Sequence, residues 1–166
     1  QKLPYDPVRQ FTYIGQISQG SYIAATRLDH PAKDLKEWVA WARANAGKVN
    51  FASGGAGTST HLNGELMNQA TGLDVTHVPY KGSSPATQAI LGNEVTYTFS
   101  TMPPAISNVK AGKLRAIAVT TPKRSGATPE VPTMIEAGMP GFDIVLYSGI
   151  IGPPGMNPAL VKRINA

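Results

Sequence analysis

Cysteine is absent from the 166 residues, which excludes disulfide staples, thiol catalysis and thiolate metal sites. Charge is scarce. Asp, Glu, Lys and Arg make up 15% of the chain, against about 25% in an average globular domain. A highly charged disordered chain and a long Glu/Lys coiled coil are excluded on that ground. No apolar stretch approaches the ~18 residues of a membrane span. The start, Gln1-Lys2-Leu3-Pro4-Tyr5-Asp6-Pro7, lacks the basic-then-apolar order of a secretory leader. The formal net charge is +5, but the 15 Lys and Arg are scattered. The densest pair, Lys123-Arg124, sits in a Pro/Gly-rich stretch. Nucleic-acid recognition asks for a basic face with aromatics on it, so no nucleic-acid partner is expected.

What is present fits one domain, or one domain plus a piece of another. Hydrophobic residues reach 42%, enough for a buried core. A repeating unit runs along the chain: an apolar β-branched run, a Gly/Ser/Thr/Pro cluster, a helical stretch, a glycine, then the next run. The glycines Gly47, Gly72, Gly92 and Gly112 each precede a strand candidate. Glycine just past a helix end supplies the left-handed residue that satisfies the last carbonyls. The strand candidates are Val49–Ala52, Val75–Pro79, Val95–Phe99 and Leu114–Thr120. The helix candidates are Lys33–Ala46, Thr58–Thr71, Pro85–Leu91 and Pro103–Ala111, with a short one near Pro132–Ala137 and another from Pro158. Strands alternating with such helices define an α/β fold with a largely parallel sheet and helices on both faces.

In the first helix Leu35, Val39 and Ala42 form a core stripe with Trp38 beside them, and both Trp38 and Trp41 read as packing residues. In the second, Leu62, Leu66 and Ala70 recur at i, i+4, i+8 and read as its buried face. Phe11–Ala25, interrupted by Gln19-Gly20, and Ile144–Gly152 read as long strands that leave one lobe and enter another. The last helix ends while its stripe of Leu160, Val161 and Ile164 is still running. The chain therefore reads as a piece of a longer protein, able to self-associate through whatever face its missing part would cover.

Ligands of open parallel sheets bind outside the carboxyl ends of the strands. Three strand ends here run into small or hydroxyl residues and then open a helix. They are Ser53-Gly54-Gly55-Ala56-Gly57-Thr58, Tyr80-Lys81-Gly82-Ser83-Ser84-Pro85 and Ser100-Thr101-Met102-Pro103. Pro85 and Pro103 suit first helical positions, with Ser84 and Thr101 or Met102 as caps. Helix starts carry bare N–H groups and about half a positive charge. None of the three has an acid in its first turn, whereas the first helix has Asp34. Two readings stand on these residues alone. Either the ends converge on an anion, a carboxylate or phosphate, with Gly54, Gly55 and Gly57 allowing close backbone approach, or each helix is capped by its own hydroxyl and water.

Other chemistries find little support. Gly55-Ala56-Gly57-Thr58-Ser59-Thr60 lacks the last glycine of the dinucleotide fingerprint, and no phosphate-loop pattern occurs. The surroundings of Ser59 do not match a nucleophile elbow. His61 and Glu65 share a helix face, but two ligands from one turn make a weak metal signal. His61, in the first turn, either makes a helix-face hydrogen bond or points at the ligand, and His77 alternates along a strand as a packed histidine. No cofactor is expected. An α/β phosphate-ester hydrolase or transferase would need a nucleophile, base or metal set that the sequence does not show.

Ser-Gly-Gly-Ala-Gly-Thr-Ser-Thr-His-Leu (53–62), His-Val-Pro-Tyr-Lys-Gly-Ser-Ser-Pro-Ala (77–86) and Ala-Gly-Lys-Leu-Arg-Ala-Ile-Ala-Val-Thr (111–120) together resemble the substrate receptors of tripartite tricarboxylate transporters, the Bug-type periplasmic solute-binding proteins. Pro-Glu-Val-Pro-Thr-Met-Ile-Glu-Ala-Gly (129–138) and Leu-Pro-Tyr-Asp-Pro-Val (3–8) fit the same family. The resemblance runs over essentially the whole chain. It implies a type II periplasmic-binding-protein fold, in which two α/β lobes close on a small carboxylate and deliver it to membrane transporter subunits. It implies no enzymatic activity. Residues 21–146 would be the second lobe, 1–20 a remnant of the first lobe with its crossover, and 147–166 the return crossover and a first-lobe helix. Ser53, Gly54, Gly55, Ala56, Gly57, Thr58 and His61 would form the ligand loop and helix start, and Tyr80, Lys81 and Gly82 the next loop. Ser100 and Tyr147 fall near the cleft but depart from the family, where an acidic or amide residue and a tryptophan are common. A neutral Ser100 argues against an amino-acid ligand, whose ammonium group would seek a carboxylate. A ligand-sensing module of the same fold is the alternative role.

Overall fold

The computed structural model describes residues 4–166. Residues 1–3, including the start of the Leu3–Val8 motif, lie outside the described residues. The chain divides into two units, Gly20–Leu146 and the segments 1–19 with 147–166.

The larger unit is built on β1 (Thr12–Arg27, which begins in the smaller unit), β2 (Asn50–Ser53), β3 (Thr76–Pro79), β4 (Tyr97–Thr101) and β5 (Leu114–Val119). The strand order is β3-β2-β4-β1-β5. β2 pairs in parallel with β3 and β4, while β1 runs antiparallel to both β4 and β5. Four strands thus point one way and β1 is threaded between two of them against the grain. The sheet is mixed, mostly parallel, with a bulge between Ala24 and Ala25 on the β5 side. The helices are α1 (Leu35–Ala44), α2 (Ser59–Thr71), α3 (Ser83–Leu91) and α4 (Met102–Lys110).

Local chemistry explains the helix boundaries. Asp34 caps α1 by accepting from the Glu37 N–H at 2.8 Å, and Glu37 reaches back to the Lys33 N–H at 2.7 Å. Thr58 caps α2, and Gly72 ends it with φ 66°. Gly92 is not left-handed (φ −76°). Asn93 takes that role with φ 61°, tolerated because asparagine pays least among side chains there. α3 starts two residues earlier than its proline suggests. Gly82, at φ 114°, is the N-cap and Pro85 sits at the third helical position, where a missing N–H also costs nothing. Ser84 is accordingly inside the helix and does not cap it.

The segment 132–137 is not a helix. Val119 forms a parallel bridge with Thr133, and its N–H donates to the Pro132 carbonyl at 2.9 Å. Thr133 and Glu136 make a reciprocal capping pair that opens a single turn. Gly138, at φ 98°, and Pro140 stop it there.

The main core joins Trp38, Phe51, Met67, Tyr97, Phe99, Met134 and Phe142 on one face of the sheet. A smaller cluster of Ala86, Ala89, Ile90, Val95 and Leu114 lies under α3. Trp38 is fully buried and Trp41 packs edge-on against His30. Of the stripe expected on α2, only Leu66 packs against the core. Leu62 is 58% exposed and Ala70 is exposed, while Thr60, Asn63, Gly64 and Met67 face inward. The cause is Phe51, whose ring occupies the place where a Cβ on residue 64 would stand. The helix can approach that ring only through glycine, and this sets its rotation.

In the smaller unit, β6 (Val145–Gly152) pairs with β1. α5 (Pro158–Asn165) is capped by Asn157 and has no buried residue. Thr12 Oγ1 donates to the Pro153 carbonyl at 2.8 Å.

Candidate functional site

In the larger unit, the carboxyl ends of β3, β2 and β4 lie side by side, so α2, α3 and α4 all begin at one edge of the sheet. The first two starts are fastened together. Tyr80 N–H donates to the Ser53 carbonyl at 2.9 Å and Gly82 N–H to the Gly54 carbonyl at 3.1 Å. A Cβ on Gly54 would stand 3.3 Å from the Ser83 nitrogen, so the loops abut backbone to backbone.

The loop after β2 uses most of its own donors. Gly54 N–H donates to Thr60 Oγ1 at 2.8 Å, Gly55 N–H to Ser53 Oγ at 3.1 Å and Gly57 N–H to His61 Nδ1 at 3.0 Å. Thr58 N–H donates to the Gly55 carbonyl at 3.3 Å. Thr58 Oγ1 donates to that same carbonyl at 2.7 Å and accepts from the His61 N–H at 3.4 Å. These bonds build the loop, and they withhold Gly54, Gly55, Gly57 and Thr58 as direct donors. The N–H groups of Ala56, Ser59 and Thr60 have no partner among the described residues, and neither do those of Ser83 and Ser84 at the start of α3. Ala56 and Ser59 are exposed. Lys81 is exposed beside them and belongs to no ion pair among the described residues. α4 offers less. Its cap Thr101 makes no side-chain bond, and Pro103 and Pro104 supply no N–H.

Ser53, expected in the ligand loop, and Ser100, expected near the cleft, are both fully buried. Ser53 Oγ lies 2.6 Å from His77 Nε2 and 3.1 Å from the Gly55 carbonyl. Ser100 Oγ lies 3.1 Å from Thr87 Oγ1, tying α3 to β4. A serine and a histidine this close resemble a nucleophile and its base, but a hydroxyl without solvent access that bridges three partners is a structural strut. Tyr80 is half-buried, and its hydroxyl donates to Glu94 Oε2 at 2.9 Å. Burial first, and that carboxylate second, push its pKa above the ordinary tyrosine range. Tyr147 is exposed and lies in the smaller unit.

His61 and Glu65 do meet, with Nε2 3.4 Å from Oε1. No third His, Cys, Asp or Glu joins them in a metal-holding group among the described residues. His77 packs against both His61, at 3.8 Å, and Phe51, at 4.8 Å, and burial, reinforced by the neighbouring His61, lowers its pKa below the ordinary histidine value. The Ser53–His77 bond and the His61–His77 stack were not foreseen. Their one visible signal was that Ser53 and His77 lie on neighbouring strands near the same ends.

An α/β unit that sets helix-start amides without a partner among the described residues, and the exposed Lys81, along one sheet edge, with the Ser53 and Ser100 hydroxyls turned inward, has the make-up of a solute-binding module. The chain belongs to the tripartite tricarboxylate transporter family of receptors, whose model matches residues 1–166. Protein BugT of Bordetella pertussis is 30% identical over 163 residues, 98% of this chain and 50% of BugT. The structure of R. palustris Rpa4515 with adipate superposes with a TM-score of 0.95 at 28% identity, covering 99% of this chain and 55% of that one. MatC from Rhodopseudomonas palustris with bound malate gives 0.92 at 30% identity, covering 99% and 56%. The chain spans about half the length of the curated relatives it matches. The family and fold are those of substrate-binding receptors. No described helix is long and apolar enough to cross a membrane.

Proposed function

We propose that this chain supplies one side of a carboxylate site in a periplasmic receptor that hands its ligand to the membrane subunits of a tripartite transporter. The observation that carries the reading is the row of unpartnered N–H groups on Ala56, Ser59, Thr60, Ser83 and Ser84, with Lys81 beside them and no acid in either helix's first turn. Backbone amides at helix starts suit a carboxylate, because charge-assisted hydrogen bonds are about twice as strong as neutral ones. Gly54, Gly55, Gly57, Thr58 and His61 shape the loop that presents those amides, and bridging water extends their reach. Gly82 and Tyr80 hold the second loop against the first. The partner half of a longer receptor would hold the ligand's other end, with closure about Gln19-Gly20 and Tyr147-Ser148. Adipate and malate in two relatives support a dicarboxylate as the first class to try.

Titration calorimetry tests this on a hybrid receptor in which this chain replaces the matching half of the adipate-binding relative. The expected result is saturable binding of at least one di- or tricarboxylate. Thr58→Leu in that hybrid should weaken it by about tenfold or more, equivalent to about 1.4 kcal/mol. A folded hybrid that gives no heat with any carboxylate would overturn the reading.

A further inference from the structure

The turn that presents Ala56 is held from behind by a pair of stacked histidines. His61 opens α2 and His77 lies on β3, with ring centroids 3.8 Å apart and planes 13° from parallel. His61 uses both ring nitrogens. Nδ1 accepts the Gly57 N–H at 3.0 Å, and Nε2 faces Glu65 Oε1 at 3.4 Å. A donor at one nitrogen and a carboxylate at the other select a single neutral tautomer, with its proton on Nε2. On the near side of the turn, Gly55 N–H is held by Ser53 Oγ, which is itself bonded to His77 Nε2. The residue between the two fastened amides is Ala56, whose own N–H is open.

We infer that Glu65 and His61 act as a positioning relay that aims the Ala56 turn and makes it sensitive to acid, because a proton on His61 Nδ1 sets two donors face to face and releases Gly57. This rests on the turn being part of the ligand site. The charged or titratable groups facing His61 are Glu65 on its own helix and His77 on β3. β2 contributes the uncharged Phe51 ring, and from β4 the buried Tyr97 phenol interacts with Glu65. The loop 53–58 carries no titratable side chain. An imidazolium would also attract an anion, which opposes the effect. Glu65, 3.4 Å away, opposes that attraction with its own negative charge, and the broken Gly57 bond lies one residue from the ligand-facing amide. Burial, and then the neighbouring His61, lower the pKa of His77 below the ordinary histidine value.

Nuclear magnetic resonance of the full chain between pH 8 and 5.5 tests the relay without any ligand. The His61 ring nitrogens should report the Nε2–H tautomer at high pH. The Gly57 amide should titrate in step with that ring and lose about tenfold of its exchange protection on acidification. His61→Gln, whose amide oxygen accepts from Gly57 at every pH, should flatten the response. A Gly57 amide that ignores His61 titration, or that moves identically in His61→Gln, overturns the inference. Millimolar adipate and malate titrated at pH 7.5 and 5.5 should show a larger acid loss of affinity in wild type than in His61→Gln, a comparison that cancels the ligand's own protonation. If neither ligand binds at either pH while Gly57 follows His61, the carboxylate reading fails and the relay stands.

Discussion

Gly64→Ala is the substitution on which helix propensity and packing disagree most sharply. Gly64 lies in the interior of α2, where replacing glycine with alanine ordinarily stabilises by about 0.5–1 kcal/mol. Here the added methyl would meet the Phe51 ring, with its Cδ2 atom at 2.7 Å and two further ring carbons closer still. Phe51 is fully buried, with His77 stacked at 4.8 Å and Tyr97 at 5.5 Å, so the ring has nowhere free to go. Forcing an extra methyl into a packed core costs about 1–3 kcal/mol. The net expectation is a loss of about 1–2 kcal/mol, or roughly 2–8 °C in Tm for a chain of this size. Urea and thermal unfolding of the full chain measure it. Phe51→Leu in the same background should recover part of the loss, so the double-mutant cycle should show favourable coupling. A Gly64→Ala protein as stable as wild type, or more stable, would refute the claim that Phe51 sets the rotation of α2.

Three further outcomes follow from individual contacts. Asp34→Ala should cost about 1 kcal/mol through loss of the α1 cap, read by chemical denaturation, and Asp34→Asn should restore most of it. Burial lowers the folded-state pKa of both His30 and His77 below 6.5, so the unfolded chain takes up protons first as pH falls. Stability should therefore be full above about pH 7 and decline below 6.5 until the folded-state values are reached. Urea midpoints at pH 7.5 and 5.5 should show this decline, and a smaller one in His77→Gln. Glu136 is held below its ordinary value chiefly by the Thr133 N–H and then by Arg124, so its contribution is present above the unfolded pKa and lost as pH falls through the folded one. Glu136→Gln should make the stability profile flatter in the carboxylate range, and an unchanged profile would dismiss that contribution.

Much of the architecture was legible because helix ends are written in side-chain chemistry. Asp34, Thr58, Gly72, Asn157 and Pro158 mark their boundaries through bonds each residue type makes locally. The reversed direction of β1 was not legible, since alternation along a strand carries no sign of which way its neighbours run. The buried face of α2 was misread because apolar spacing favours Leu62, while the deciding contact is a glycine against an aromatic ring distant in sequence. The candidate site was legible as a set of loops, through their glycines and hydroxyls and the family resemblance. Which donors remain open was not. Ser53 and Ser100 look like Ser59 in sequence, and only the burial of the first two separates a strut from a surface hydroxyl. Ser83 and Ser84 came into view only once Gly82, rather than Ser84, proved to be the cap.

The most direct test of the account maps adipate and malate onto the assigned amide resonances of this chain. A half site should bind weakly, at millimolar levels (about 4 kcal/mol). The account predicts saturable shifts concentrated on Ala56, Ser59, Thr60, Ser83 and Ser84 and on the Lys81 side chain. Shifts spread evenly over the surface, or centred away from these helix starts, would contradict it.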